Sequence, residues 1–388
     1  MNVQLHTTID TIPAAGWNQL AGDNPFVRHE FLAALEHSGS VSAKTGWQPQ
    51  HLTCANDHGE LIGALPLYLK THSWGEFVFD WAWANAYERA GRHYYPKLVS
   101  AVPFSPVTGP RLLISADDER DKVSHALIQR TVELANANQV SSAHCLFPDE
   151  KEIHIWPELG FLLRKDCQFH WHNHGYGSFD DFLATLSAEK RKKLKRERRR
   201  VSEAGITFRL YRGRELDPHL LGTLYRFYAI TYAKHGHPPY LTREFFAEIA
   251  QTMPDNLLAN FAYLDGKPVA CAICFRDRET LYGRHWGCEQ EYHSLHFETC
   301  YYQWLDYCIQ ERLSHFNPGA QGEHKLARGF EPTATWSMHY IADSAFRKAI
   351  ADFLERETRM MDGYIEAATY HLPFHHSASR SCLPENSI

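Results

Sequence analysis

The stretch GAQGEHKLARGF, residues 319–330, gathers reactive side chains: Glu323, His324, Lys325 and Arg328 follow a pair of glycines. Glycines permit tight turns, and a turn that collects an acid, an imidazole and two cations is a candidate reaction centre. Acyl transfer to an amine develops negative charge on the carbonyl oxygen, which a positioned Lys325 or Arg328 stabilises. His324 or Glu323 can accept the proton of the attacking amine. These four are the candidate catalytic residues.

Upstream, YGRHWG closes an extended run, so Arg284, His285 and Trp286 are placed to line a cleft, and strand alternation sends Arg284 and Trp286 to one face. Together with Tyr302 they form the candidate substrate-binding set. Between Lys190 and Arg200, nine of eleven residues are basic: Lys190, Arg191, Lys192, Lys193, Lys195, Arg196, Arg198, Arg199 and Arg200. A dense positive face can follow a row of phosphates, which suits tRNA or a nucleotide-linked precursor. No aromatic residue interrupts the run to stack a base.

Other constellations carry less. Cys271 and Cys274 form a CxxC, but on the strand PVACAICF their odd spacing points them to opposite faces, as core thiols. His170, His172 and His174 share a face if HWHNH is extended, yet no carboxylate or cysteine stands at a spacing that would complete a ligand set, so no metal is expected. There is no GxSxG, Walker loop or dinucleotide fingerprint. CEQEYHSLHFE, after the YGRHWG strand, has no glycine and three acids, a poor cradle for the pyrophosphate of coenzyme A.

The elements that must hold these residues follow from periodicity. Two short helices, around Trp17 to Leu20 and from Arg28 to His37, precede a hairpin of PQHLTCA and ELIGALPLYL and a third extended run, EFVFDWAW. A helix capped by Ser115 and Asp117 runs to Asn138, followed by the strand SSAHCLF, a short helical segment near Glu150 to Leu159 and the strand FLLRKDCQFHWH. The order then recurs: strand ITFRLY, helices from Pro218 to His235 and Thr242 to Met253, a hairpin across Asp265-Gly266, the strand TLYGRHWG, a helix over 297–314, the reactive loop and the strand ATWSMHYI. Leu186, Leu194 and Val201 fall at helical spacing, so the basic run is itself a helix. Helix, helix, three strands, helix, strand, short helix, strand occurring twice is what two acetyltransferase (GNAT) folds in tandem present. The expected class is α/β (α+β), each half a mixed, mostly antiparallel sheet flanked by helices. The expected division is an N-terminal half over 1–176, a C-terminal half over 177–342 opening with the basic helix, a packing helix capped by Asp343 over 343–372, and a disordered tail over 373–388.

Bulk properties agree with two domains. The 388 residues are 44% hydrophobic, enough for two cores. Removing nine basic and one acidic residue of the 190–200 segment from totals of 40 and 46 leaves 31 against 45, so one positive element sits on an acidic body. No stretch approaches the roughly 18 apolar residues of a membrane span, and the first residues lack the basic and apolar regions of a signal peptide. Nine scattered cysteines suit reduced thiols, and a cytoplasmic location is expected.

The segments PLYLKTHSWGEFVFDWAWANAYERAG, YYPKL, AVPFSPVTGPRLL, SFDDFLATLSAEKRKKLKRERRRV, LYGRHWGC, LHFETCYYQ and GAQGEHKLARGFEP resemble the bacterial FemAB-like family, described as peptidoglycan biosynthesis or recognition proteins. The resemblance implies two GNAT-like domains and transfer of an amino acid from aminoacyl-tRNA to the peptide stem of a cell-wall precursor, with a basic residue of the reactive loop at the carbonyl. The expected function is therefore acyl or aminoacyl transfer to an amine, with a small-molecule or muropeptide acceptor, tRNA as a candidate partner, and no required cofactor. Two rival readings remain: acetyl-coenzyme A as donor, and a recognition module that binds muropeptide without chemistry. The oligomeric state is not legible.

Overall fold

A computed structural model describes residues 1–115, 119–320 and 322–375. By contact the chain forms two compact units that are discontinuous in sequence: 1–166, 240–253 and 334–362 in the first, 167–239, 254–333 and 363 onward in the second. This partition differs from the consecutive halves divided at 176, because pairing and packing decide which segment completes which core.

The first unit opens with β1 (Asn2–His6), α1 (Ala14–Ala21) and α2 (His29–His37), whose Phe31, Leu32 and Leu35 are buried as their spacing implies. Next come β2 (Trp47–Pro49), β3 (His51–Ala55), β4 (Leu61–Leu65) and β5 (Tyr68–Lys70). Pro66, without an N–H for the ladder, stands between the last two. EFVFDWAW, expected as a strand, instead runs into α3 (Trp81–Arg89). Its acids explain the departure: Glu76 and Asp80 turn inward onto the fully buried ammonium of Lys97, at 2.7 and 2.5 Å. Phe77 between them takes φ of 62°, outside extended geometry. Then follow β6 (Lys97–Ser100), β7 (Leu113–Ile114), α4 (Arg120–Ala137) and β8 (Ser142–Leu146). Asp117, expected to cap α4, lies outside the described residues.

β9 (Leu162–His172) begins in the first unit and ends in the second, followed by α5 (Phe179–Thr185), α6 (Ala188–Glu203), β10 (Thr207–Arg212) and α7 (Pro218–Lys234). α8 (Arg243–Thr252) belongs to the first unit, where Phe245 meets Phe31 edge-on at 5.5 Å. β11 (Leu257–Leu264), β12 (Lys267–Arg276) and β13 (Thr280–Cys288) form the expected meander. The helix expected over 297–314 is broken into α9 (Leu295–Phe297), a π-turn over Glu298–Tyr302, and α10 (Gln303–Gln310). π-turns are rare and concentrate near functional sites; this one buries Glu298, Thr299, Tyr301 and Tyr302 together. β14 (His315–Asn317), a 3-10 turn over Glu323–Arg328, β15 (Glu331–Ile341) and α11 (Ser344–Tyr370) complete the described chain. Asp343 caps α11 as expected, accepting the N–H groups of Ala345 and Phe346. Of the expected disordered tail, residues 376–388 lie outside the described residues, while Phe374 bridges to Leu186.

Each unit holds a sheet with the same signature. In the first, β15, β8, β6, β5 and β2 pair in that order, antiparallel apart from β6 with β8; a second, four-stranded sheet runs β1-β3-β4-β7. In the second, β10, β11, β12, β13, β14 and β9 pair in order, antiparallel apart from β13 with β14. A parallel pair needs a crossover, and in both units that crossover contains a helix: α4 in the first, α9 and α10 in the second.

Candidate active site

The parallel pair of the second unit is short. β14 pairs with Thr280, Leu281 and Tyr282 and then stops, while β13 continues to Cys288 without it. The residues of YGRHWG therefore stand where two strands part. Gly283 and Gly287 are dictated by close approach: a Cβ on Gly283 would sit 3.3 Å from Pro318, and one on Gly287 would fall 1.9 Å from the Phe227 carbonyl of α7. Along the β12 ladder Cys274 faces Gly283 and Ile273 faces His285, which leaves Arg284 as the extra residue of a β-bulge. Bulges re-aim side chains beside sites, and this one interrupts the strict alternation expected to put Arg284 and Trp286 on one face. His285 packs edge-on against Tyr228 of α7 at 4.7 Å, while Trp286 meets His296 of α9 at 5.4 Å.

Lys325 reaches this divergence. Its side chain is 2% exposed, and its Nζ donates to the carbonyl oxygens of Gly319 and Ala320, at 2.7 and 2.6 Å, in the loop that leaves β14. A Cβ on Gly319 would lie 3.3 Å from the Gly283 carbonyl and 3.7 Å from the Arg284 guanidinium. Burial, reinforced by the charge of Arg284, pulls the Lys325 amine down to about 7, so a cation is held where solvation is poor and, among the described residues, no carboxylate pairs with it. Burial likewise pulls Arg284 down to about 10.

Arg328 is engaged differently. Its Nε donates to Tyr302 Oη at 2.9 Å, one terminal nitrogen to the His324 carbonyl at 2.8 Å, and the other to both oxygens of Glu197 at 3.0 Å. The guanidinium also lies 3.5 Å from the ring centre of Phe297. Tyr302 closes the group by donating to Glu197, and all three side chains are buried. Arg328 and Tyr302 are thus the partners of Glu197, the single acid of the basic run, and they tie α6 to the π-turn and the reactive loop. Beside it, Arg198 bonds Glu298 at 3.2 Å and Asp306 at 2.7 Å.

His324 is exposed, bonded through Nε2 to Tyr301 Oη at 2.9 Å, and held below its usual range by partial desolvation and the charges of Arg328 and Lys325. Glu323 accepts from Tyr364 Oη at 3.0 Å. Beyond Trp286 opens a cavity of about 430 Å³, lined by Thr231 and Lys234 of α7, by Cys288, by Glu291 and Tyr292 of the following loop, and by Leu295 and His296 of α9. Burial and the nearby charges of His324, Arg328 and Lys325 push His296 down to about 4, so its imidazole is neutral at ordinary pH.

The remaining basic side chains of α6 spread along its surface. Lys192, Lys195, Arg196, Arg199 and Arg200 are exposed, whereas Lys190, Arg191, Lys193 and Arg198 are partly buried. Lys195 pairs with Asp180, Arg199 with Glu203 and Lys190 with Glu189, while Arg200 bonds His293. Lys192 and Arg196 carry no ion pair among the described residues. Cys271 and Cys274 are buried free thiols. His174 bonds Glu331 and His170 bonds Gln168, and no group of three potential metal ligands occurs among the described residues. Nor is any described helix long and apolar enough to cross a membrane.

A family model described as FemAB-like, peptidoglycan biosynthesis/recognition, matches residues 8–376. The chain belongs to the FemAB-like family. No curated protein matches its sequence. Among solved structures, FemX superposes with a TM-score of 0.54 at 11% identity, covering 90% of this chain and 100% of that one. The C-terminal DUF2156 domain of an Agrobacterium fabrum protein described as a lysylphosphatidylglycerol synthetase gives 0.54 at 9% identity, covering 88% and 95%. L-PGS from Bacillus licheniformis gives 0.51 at 11% identity, covering 86% and 97%. This FemAB-like chain therefore has the expected tandem GNAT-like fold. Sequence reasoning passed over three residues of the candidate site: His296, Tyr301 and Glu197. Glu197 had a readable signal, since it is the lone acid in the run and stands three residues from Leu194 and four from Val201, on the buried face.

Proposed function

We propose that this FemAB-like protein transfers an aminoacyl group from a polyanionic carrier to an amine of a cell-wall precursor. One observation carries the reading: the buried ammonium of Lys325 stands at the strand divergence, in the same unit as a cavity walled by Trp286 and His296. At about 430 Å³ that cavity falls in the range of small-ligand sites, roughly 300–1,000 Å³. The amine nitrogen bonds to the carbonyl carbon, the bond from that carbon to the carrier oxygen breaks, and the amine's proton passes to the leaving oxygen by way of His296. As charge builds on the carbonyl oxygen it raises the proton affinity of Lys325, which keeps the lysine cationic when its charge is needed. Arg328 is a positioning residue, fixing the loop through Glu197. The exposed face of α6 follows the phosphates of the carrier. The family description and the likeness to FemX support a precursor acceptor, and the glycine-free CEQEYHSLHFE supports tRNA over coenzyme A as donor.

The test offers the purified protein an amine-bearing muropeptide with either aminoacyl-tRNA or acetyl-coenzyme A and follows products by mass spectrometry. Aminoacylated product is expected with the tRNA donor, at a rate reduced roughly 100-fold or more in Lys325→Met. Undiminished turnover in that variant would remove Lys325 from the chemistry, and ligand binding without product from either donor would make the protein a recognition module.

A further inference from the structure

A second cavity in the second unit, of about 250 Å³, lies between the sheet face of β10 and β11 and the helix α10, and shares no lining residue with the one at Trp286. Its sheet wall contains Asn260, in the middle of LLANFAYL. Across the ladders Asn260 faces Leu210 on β10 and Ala272 on β12, so the amide sits in an apolar row. It is 3% exposed, and its side chain makes no hydrogen bond among the described residues. The amide opens into the cavity without a protein partner among the described residues, and a β-branched residue would suit the strand better. Packing therefore gives no reason for an asparagine here.

The helix wall repeats the anomaly. Trp304 is 1% exposed and its Nε1 has no hydrogen-bond partner among the described residues. Its ring meets Tyr307 edge to face at 5.8 Å, and Phe208 stands on the sheet side of the same space. Gln303 and Gln310 add amides at the rim. The charged group in the lining, Asp306, is taken up by Arg198 at 2.7 Å. No cation lines the space, so a phosphate or carboxylate finds no counter-charge. Flat aromatic walls around a carboxamide suit a flat, uncharged ring whose edge carries a donor next to an acceptor, because an asparagine amide offers the complementary pair. The volume lies below the roughly 300–1,000 Å³ of drug-sized sites, which limits the occupant to a single ring system.

We infer that the cavity between β11 and α10 binds a nucleobase, gripped by the Asn260 amide against the aromatic walls. Two carriers bring such a ring, a nucleotide-linked precursor and an RNA. The inference stands on this cavity alone and does not depend on Lys325, so it survives failure of the transfer reading.

Calorimetric titration of the full chain with uridine, cytidine, adenosine and guanosine tests it. At least one nucleoside is expected to bind saturably, with Kd of about 1 mM or tighter, and to bind at least about tenfold more weakly to Asn260→Leu. Because the amide has no protein partner to lose, that variant is expected to melt no lower than the parent, which separates lost binding from unfolding; Asn260→Ala serves if leucine overfills the site. Repeating the titration with a nucleoside diphosphate-linked sugar and with a short single-stranded RNA, each carrying the preferred base, separates the two sources: whichever binds more tightly than the free nucleoside is the carrier. Absence of saturable binding by all four, equal binding by the variants, or a lower melting temperature in both variants would overturn the inference, since the amide would then serve a structural water.

Discussion

Replacing Lys325 by methionine is expected to make the protein more stable while disabling it. Folding draws the amine from its ordinary 10.5 down to about 7. At about 1.4 kcal/mol per pH unit, that shift sets a ceiling of about 5 kcal/mol on the cost of keeping the buried group charged. Methionine, similar in length and apolar, removes the cost but abandons the Gly319 and Ala320 carbonyls, each bond from the charged donor returning at least about 1.5 kcal/mol. A net gain of at most about 2 kcal/mol is left for the variant near pH 6. The direction with pH follows from proton counts. Below about 7 the lysine is protonated in both folded and unfolded chains and the full cost is present. Between about 7 and 10.5 the unfolded chain binds the extra proton, so the parent gains stability as pH rises and the variant's advantage shrinks. Urea unfolding of both proteins, followed by far-UV circular dichroism at about pH 6 and about pH 9.5, measures the difference. A methionine variant less stable at the lower pH, by a margin that does not change at the higher, would refute the claim that Lys325 is an uncompensated buried cation.

Glu197→Gln leaves the Arg328 guanidinium buried without its counter-charge and is expected to cost about 3–5 kcal/mol, while Glu197→Leu combined with Arg328→Met recovers most of the loss; chemical denaturation compares the three. Reversing Lys192, Arg196 and Arg199 to glutamate is expected to leave the melting temperature nearly unchanged, since all three are exposed. If each contacts a phosphate, the slope of log binding constant against log salt for tRNA falls by about 2–3; filter binding across a salt series reads it, and an unchanged slope would clear α6 of any carrier contact.

The order of strands and helices was legible because most segments carry their own period: Phe31, Leu32 and Leu35 mark one face of a helix, and LLANFAYL opposite PVACAICF around Asp265-Gly266 announces a hairpin. The reading failed where tertiary charge overrode local preference. EFVFDWAW has the aromatics and β-branched residue of a strand, and nothing nearby discloses that Glu76 and Asp80 are required by Lys97, seventeen or more residues on. Within the site, clustering of types located the Glu323 to Arg328 loop, but could not divide its two cations into one sealed against Glu197 and one left at the strand divergence. That division depends on an acid 131 residues upstream of Arg328. His296 was missed because a single imidazole in LHFETCYYQ has no spacing that betrays a cavity.

The interleaved make-up of the two units bears on how the protein is made. Ribosomes deliver a chain from its first residue onward, yet the first unit still lacks α8 and the last strand of its sheet when residue 176 has emerged. Its inner strand β8 must wait for Ser337 to Ile341 before it has a neighbour on that side. Translation must therefore be nearly finished before the amino-terminal core can close, and the nascent protein is exposed to chaperones and proteases as one long unfinished body.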